Sequence, residues 1–453
     1  MDSTLKRLVE FSLDASYASL SPETVHECRR RLIDTFASAM AAYDDPLCRS
    51  VRNLARRYSG SPEAGVWGSS LQTTVEWSAF ANGVALRFLD INDTYLSKSK
   101  GHPSDMLSGI LAVADHLRAD GPSVINAMAL AYDVYCSFSD SVDINCRGWD
   151  QAVYATFGAA VGVGKLMRLR KEQLANAISL SLTPNMSLRQ IRCGDLSAWK
   201  GCAGGNAARN AVFAALLAKE GVTGPAEIFE GENGLWNVVG RFDWKLPEPG
   251  RHLIGETHIK TLPICYHAQS AALAALELRS RVNPPDIDTI AIESYGAAVS
   301  MTGGDPTRWA PATRETADHS MPYVVALALL DGRITAQSFS ADRMKDAGVL
   351  AFMKKITVTE SAELSAMHPE GAPSRLTIRM VNGQVVTNVV RYPKGHARNP
   401  LTDADVERKF LDVFEELGDT YQGEAALEAL RNFEHVHDVK SEVIRRFAIR
   451  PEQ

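Results

Sequence analysis

Reactive side chains are densest between Phe88 and Asp105, a stretch that holds Asp90, Asp93, Thr94, Lys98, Lys100, His102, Ser104 and Asp105. A carboxylate and an imidazole in one loop can take a proton, give one, or act together with the carboxylate orienting the ring. The bland alternative is that Asp90 caps a helix and His102 is a buried histidine with satisfied hydrogen bonds. Three later segments carry related chemistry. Arg189 and Arg192 suit bidentate capture of carboxylates, which a planar guanidinium does better than an ammonium. Lys200 precedes Gly201 and the run Ala203-Gly204-Gly205, small residues that let a substrate approach the backbone. Lys260 and His267 stand in Lys260–Gln269, and His319 in Glu315–Tyr323, where Asp318 reads as a helix cap and His319 as part of a site or an interface. Asp318-His319-Ser320 is not expected to form a hydrolase triad, because adjacent residues do not reach that geometry and no Gly-x-Ser-x-Gly elbow occurs. No histidine pair has the helical spacing of a metal site, so no metal is expected; His435 and His437 lie in the tail, remote from the other motifs.

Small, apolar helix patterns flank the first cluster, Trp77 to Leu89 before it and Met106 to Leu117 after it, so its polar residues occupy a loop between two buried helices. Polar groups placed there must be partnered or functional. Pro103 suits a helix start, with Ser104 and Asp105 placed to accept from its free amides. Helical periodicity also runs through Ser3 to Leu13, Val25 to Met40 behind a Ser21-Pro22-Glu23 cap, Pro122 to Ser137, Trp149 to Leu166, Lys171 to Leu182 and Ala198 to Glu220. No strand pattern precedes about residue 285. Beyond it Asp286 to Tyr295 and Lys355 to Glu360 alternate apolar and polar residues, and Arg375 to Arg391 reads as two strands joined by a two-residue turn at Asn382-Gly383. Helices at Tyr266 to Arg279 and Met321 to Asp331 would cover one face of that sheet, and the tail returns to helix. The fold class is therefore mainly α, with a large all-α helical domain plus a smaller α+β domain whose sheet is antiparallel-rich.

A chain of 453 residues exceeds what one core usually organises. Its 45% apolar and 23% charged residues describe an ordinary globular protein. No apolar run approaches the length of a membrane span, and the first residues lack the apolar stretch of a signal peptide, so a cytoplasmic location is expected. A net charge of −6 without a basic stripe argues against nucleic acid and anionic membrane as partners. An anionic substrate would be drawn by local cations, and Arg87, Lys98, Lys100, Arg189, Arg192, Lys200 and Lys260 lie near the motifs. The seven cysteines are odd in number and include no Cys-x-x-Cys, which argues against a disulfide framework, a zinc ribbon or a cysteine-held iron–sulfur cluster. Acid–base work then falls to side chains, and no cofactor is expected.

Arg87-Phe-Leu-Asp-Ile-Asn-Asp-Thr94, with Gly101-His-Pro-Ser-Asp-Met-Leu-Ser-Gly-Ile-Leu-Ala-Val-Ala-Asp115, resembles the signature of the MmgE/PrpD family. Arg189 to Asn210, Lys260 to Gln269 and Glu315 to Gly332 extend the resemblance over nearly the whole chain. The family includes 2-methylcitrate dehydratases, cis-aconitate decarboxylases and relatives acting on other small polycarboxylates. The resemblance implies that the C-terminal helices rejoin the first domain, which gives a discontinuous helical domain of residues 1–265 with 397–453 and a smaller domain of 266–396. That division puts Lys260–Gln269 at the boundary, where clefts form.

The resemblance also implies a homodimer, and a cofactor-independent lyase that removes water from a 2-methylcitrate-like hydroxy-tricarboxylate by proton abstraction next to a carboxylate. Asp90 and His102 would transfer the protons, Thr94 would hydrogen-bond a hydroxyl, and Lys200, at the position of the family's active-site lysine, would hold developing charge with Arg189 and Arg192. Lys260, His267 and His319 would complete the substrate contacts. The apolar Met321 to Leu330 helix, with more apolar surface than one small sheet needs, is a second pointer to a dimer. The decarboxylase branch carries histidines near the positions of Trp149 and Cys265, and their absence disfavours decarboxylation of cis-aconitate. Gln151 and Cys193 replace residues expected to be histidine in the dehydratase branch. The alternatives are decarboxylation or epimerisation of another small polycarboxylate, and a catalytically silent binding paralogue; the retained Asp90, Thr94, His102 and Lys200 speak against the last.

Overall fold

The computed structural model describes residues 1–449. Ten helices build its first part: α1 Ser3–Asp14, α2 Pro22–Ala41, α3 Pro46–Arg56, α4 Val75–Phe88, α5 Leu107–Leu117, α6 Gly121–Ser141, α7 Ala152–Leu166, α8 Lys171–Leu182, α9 Trp199–Lys219 and α10 Leu235–Val239. The starts are set by local chemistry: Ser21 accepts from the Thr24 amide with Pro22 at the first position, and Asp120 accepts from Ser123. Two short ladders lie among these helices, β1 Ala64–Gly65 with β2 Gln72–Thr73, and β3 Tyr95–Leu96 with β4 Lys100–Gly101. Two residues per strand are too few to leave an alternating pattern, which is why the sequence shows no strand there.

Helices α4 and α9 run in opposite directions with their backbones in contact. A Cβ on Gly83 would stand 2.5 Å from the Cα of Gly205, and one on Gly205 would stand 2.9 Å from the Phe80 carbonyl oxygen. Ala203-Gly204-Gly205 therefore admits a neighbouring helix, and not substrate as the sequence suggested. The consequence is functional: the close crossing brings the end of α4, with Arg87, beside the start of α9, with Lys200.

The second part contains α11 Tyr266–Leu278, β5 Ile287–Ser294, α12 Gly296–Thr302, α13 Arg314–Ala317, α14 Met321–Asp331, α15 Ala341–Met344, α16 Ala347–Met353, β6 Ile356–Glu360, α17 Ala362–Ser365, β7 Ser374–Met380 and β8 Val385–Val390. The sheet order is β6-β5-β7-β8, with β5 and β6 parallel and the other pairs antiparallel. Buried residues alternate along β7, as a half-covered strand requires. The Met380 amide donates to the Gln384 carbonyl at 2.8 Å beyond the Arg379–Val385 pair, so the hairpin loop is the three residues Val381, Asn382 and Gly383, one longer than the sequence suggested. Gly383 has φ +85°, the left-handed position such a loop needs. Helix α14 is buried from Met321 to Leu329. It packs against α11, α16 and β6 of its own chain, so its apolar surface does not call for a second subunit.

The tail folds as α18 Asp403–Glu416, α19 Thr420–Arg431 and α20 Val439–Glu442. One large apolar cluster joins residues of nine of the first ten helices, α3 excepted, to Val406, Phe410, Phe414 and Phe447, and Phe447 stacks on Phe36 with ring centroids 4.0 Å apart. A separate cluster is built from α11, α14 and the sheet, and a third lies around α3 and the later turns of α4. Among the described residues no helix is long and apolar enough to cross a membrane.

Candidate active site

Asp90 follows α4 at the position where a helix commonly ends in a left-handed residue, and it adopts φ +54°. Glycine or asparagine is usual there, because a Cβ is strained in that region. The turn points the carboxylate into a ring of cations. Arg87 Nη1 is 3.1 Å from Oδ1 and Lys200 Nζ is 3.1 Å from Oδ2, while Lys260 Nζ donates to Oδ1 and to the Asp90 carbonyl oxygen. Burial raises a carboxyl pKa, but Arg87, Lys260 and Lys200 together outweigh it and hold Asp90 well below its ordinary value. Asp90 is thus a fixed anion that positions three cations. Such a carboxylate makes a poor proton carrier.

His102 enters from the next loop. Its Nδ1 lies 2.7 Å from the Asp93 carbonyl oxygen, an acceptor only, so Nδ1 carries the proton. Its Nε2 accepts from Arg87 Nη2 at 2.9 Å, and burial followed by the charges of Arg87 and Lys260 holds its pKa well below the usual value. His102 is neutral, with the lone pair on Nε2. The helix cap beneath it differs from the sequence reading: Asp93 Oδ1, and neither Ser104 nor Asp105, accepts from an amide here, that of Ser104 at 2.9 Å. Asp105 lies deeper, accepting from Gln151 Nε2 at 2.9 Å, while Gln151 Oε1 accepts from the His102 amide and from Tyr135. Gln151, where a histidine was expected, is the brace between the loop and α7.

Lys200 is only 1% exposed and its ammonium bridges Asp90 and Asp318, with Nζ 2.9 Å from Asp318 Oδ1. Asp318 was read from the sequence as a helix cap. It is a buried member of this site, and Ser320 instead caps α14 by accepting from the Tyr323 amide. Adjacent Asp318 and His319 hydrogen-bond through Nδ1 at 2.5 Å. The Ser320 hydroxyl donates to the Arg308 carbonyl, so no hydrolase triad forms. Burial lowers the His319 pKa, but Cys265 and Asp318 more than offset it and the net shift is upward. Asp90, Asp318 and His319 offer ligand atoms close enough to surround a small cation. The Lys200 ammonium already lies against both carboxylates, which meets the need for positive charge there.

Arg87, Asp90, Thr94, Lys100, His102, Arg189, Arg192, Cys265, His267 and His319 all line one pocket between these segments. The four sequence segments therefore converge on a single site. Thr94 donates its hydroxyl to the Gly101 carbonyl at 3.0 Å. His267 Nδ1 meets the Tyr295 hydroxyl at 2.5 Å, and burial holds the ring neutral. Arg192 is committed to Asp150, with Nε to Oδ2 2.8 Å. Lys100 lines the pocket with its ammonium destabilised by burial and by the neighbouring Arg189. Two cations close together at one pocket are what an anionic ligand would relieve. Lys100 was noted in the sequence only as a nearby cation; its place in the pocket with Arg189 depends on the β3/β4 ladder. A larger cavity of about 880 Å³ lies in the smaller domain beside Glu277, Arg375 and Tyr392, away from this chemistry. Its Arg375 and Arg398 are paired with Glu293, Glu363 and Glu370, so it lacks a comparable field.

A buried pocket lined by cations, with one fixed carboxylate and with His102 and His267 shifted down while His319 is shifted up, has the perturbed titrations that cluster at functional sites. The chain belongs to the MmgE/PrpD family: residues 6–246 match the MmgE/PrpD N-terminal domain and residues 262–435 the MmgE/PrpD C-terminal domain. It is 28% identical over 427 residues to the 2-methylcitrate dehydratase of Escherichia coli strain K12, an alignment covering 88% of this chain and 86% of the relative. It is 29% identical over 411 residues to the 2-methylcitrate dehydratase of Cupriavidus necator, covering 84% and 83%. An alkylcitrate dehydratase from a fungal species is 28% identical over 378 residues, covering 76% and 74%.

Proposed function

We propose that this chain is a hydro-lyase that removes water from a 2-methylcitrate-like hydroxy-tricarboxylate, in a reading that includes a cytoplasmic homodimer as in the family resemblance. The observation that carries it is the pair of histidines around one charge cluster. His102 is pushed towards the neutral form and His319 towards the charged form. Environments that drive two titratable groups apart assign the base and the acid. His102 Nε2, released from its Arg87 hydrogen bond as the arginine turns to the substrate, takes the proton next to a substrate carboxylate, and His319 gives a proton to the departing hydroxyl. Lys100 and Arg189 take substrate carboxylates. Lys200, Lys260 and Arg87, held in place by Asp90, stabilise the enediolate charge as it develops. This moves Asp90 from proton carrier to electrostatic anchor. It also makes Arg192 a structural partner of Asp150.

The test is incubation of the purified chain with 2-methylcitrate and citrate in deuterated water, followed by proton NMR. Formation of the alkene with loss of water is expected. Loss of carbon dioxide, or deuterium exchange without net loss of water, would replace dehydration by decarboxylation or epimerisation, and inertness towards every tricarboxylate would end the reading.

A further inference from the structure

Tyr295 is buried directly after β5, and among the described residues its phenol has a single hydrogen-bond partner, His267 Nδ1 at 2.5 Å. A buried hydroxyl whose proton meets no acceptor is costly, and no other acceptor reaches this one. The phenol therefore donates and Nδ1 accepts. Burial, then the nearby Cys265, raises the phenol pKa well above its usual value, so Tyr295 keeps the proton it donates. Burial, then Lys100, His368, His319 and Arg189, opposes a charge on His267. A neutral imidazole that accepts at Nδ1 carries its own proton on Nε2. That Nε2 makes no hydrogen bond among the described residues, and the His267 side chain lines the pocket with Lys100 and Arg189. Behind the phenol lies His368, whose ring stacks on Tyr295 with centroids 4.5 Å apart and planes 17° from parallel. The stack fixes the plane of the phenol and so the direction of its bond to His267.

We propose that His267 Nε2–H is a neutral donor that receives a substrate carboxylate beside Lys100, and that Tyr295 is the positioning residue that keeps the proton on that nitrogen. Without the phenol either ring nitrogen can hold the proton, and the tautomer with a bare Nε2 turns a lone pair towards the carboxylate. A neutral donor also suits this wall, where the ammonium of Lys100 is already destabilised by burial and by Arg189. It adds a hydrogen bond to the anion without adding a third charge. His267 and Tyr295 belong to the smaller domain, at the start of α11 and the end of β5, whereas Lys100 and Arg189 come from the helical part. The carboxylate is thus gripped from both sides of the cleft.

This inference rests on the reading that the pocket takes a polycarboxylate, but not on the loss of water. Its test uses tricarballylate, a tricarboxylate with no hydroxyl to lose, and the full-length chain with isotope-labelled histidine rings. Proton–nitrogen NMR should show His267 with its proton on Nε2 in the wild type, the signal being assigned by its absence in His267→Gln. Tyr295→Phe, which keeps the ring and its stack, should give a mixture of the two tautomers. By calorimetry it should weaken tricarballylate binding at least about tenfold, the scale of a hydrogen bond to a charged group. His267→Gln should also weaken binding, and adding Tyr295→Phe to it should change nothing further, because the phenol then has no imidazole to orient. A wild-type His267 protonated on Nδ1, or an equal loss from Tyr295→Phe with and without the imidazole, would overturn the proposal. Should Tyr295→Phe fail to fold, the wild-type tautomer decides alone. A chain that dehydrates 2-methylcitrate but carries the wrong tautomer loses only this inference. One that binds tricarballylate through His267 and Tyr295 without turning over any hydroxy-tricarboxylate loses only the proposed reaction.

Discussion

Lys200 shows how far a residue's neighbours change what its substitution should do. As a surface cation it would be worth within about half a kilocalorie. Buried against Asp90 and Asp318, its removal strands two carboxylates in a dry site. Breaking a buried pair in this way costs about 3–5 kcal/mol. Lys200→Ala should therefore lower the melting temperature as well as kcat, with kcat measured on folded protein; an unchanged melt and full activity would remove it from the site. His102→Ala should lose activity with a far smaller change in stability, because His102 is neutral and leaves no charge behind.

Asp105 gives a prediction with a definite sign. Burial lifts its carboxyl from 3.8 to about 6, against the opposing pull of Arg87 and Gln151. Between pH 4 and 6 the folded chain holds a proton that the unfolded chain has lost, so this group makes stability fall as pH rises through that window, and its effect is constant above it. Asp105→Asn removes the dependence. Relative to wild type, the variant should gain of order 2–3 kcal/mol between pH 4 and pH 6.5, on top of a pH-independent offset from its altered bond to Gln151. Chemical denaturation across that range checks it, and parallel curves would show that Asp105 does not titrate there.

At the scale of elements, most helices were legible because their periodicity and caps are local, as with Lys171–Leu182, found at its exact bounds. The four motif segments were legible as chemistry. What joins them was not, since neither the Gly83–Gly205 crossing nor the αL turn at Asp90 follows from a pattern in the neighbouring residues. Asp318 was missed for the same reason: its partner Lys200 is 118 residues away. Another long-range tie comes from the tail. Lys409, on α18, donates to Asp34 at 2.5 Å and to the carbonyls of Ile91 and Lys260 at 2.9 and 3.0 Å. It fixes the backbone beside Asp90 and at Lys260 without reaching the pocket. Lys409→Met should lower kcat by up to about a hundredfold through small displacements of the charge ring, with KM little changed. It should also destabilise the fold by leaving Asp34 unpaired. Adding Asp34→Asn should restore stability but not kcat, and recovery of both would reduce Lys409 to a structural prop.

For the whole molecule, the pocket poses a problem of entry. Its open volume is about 60 Å³, room for about two waters. A tricarboxylate fits only if a wall moves. The inner wall cannot easily give, because Asp90, Lys200 and Lys260 are buried and mutually charged. The outer wall is a short 3-10 segment, Arg189–Arg192, flanked by exposed Leu188 and Trp199. It is held by the Arg189 amide on the Gly148 carbonyl, the Arg192–Asp150 pair, and the Leu196 amide on Thr316. Few buried apolar contacts and a handful of hydrogen bonds mark the low-stability end of a structure. Opening of this segment admits substrate, and its return places Arg189 on a substrate carboxylate. Hydrogen exchange should therefore be fast from Leu188 to Leu196 in the free chain and should slow on adding citrate, with α4 and α9 protected throughout. Protection gained only in the β5–β8 sheet, or none at all, would mean that the substrate enters by another face.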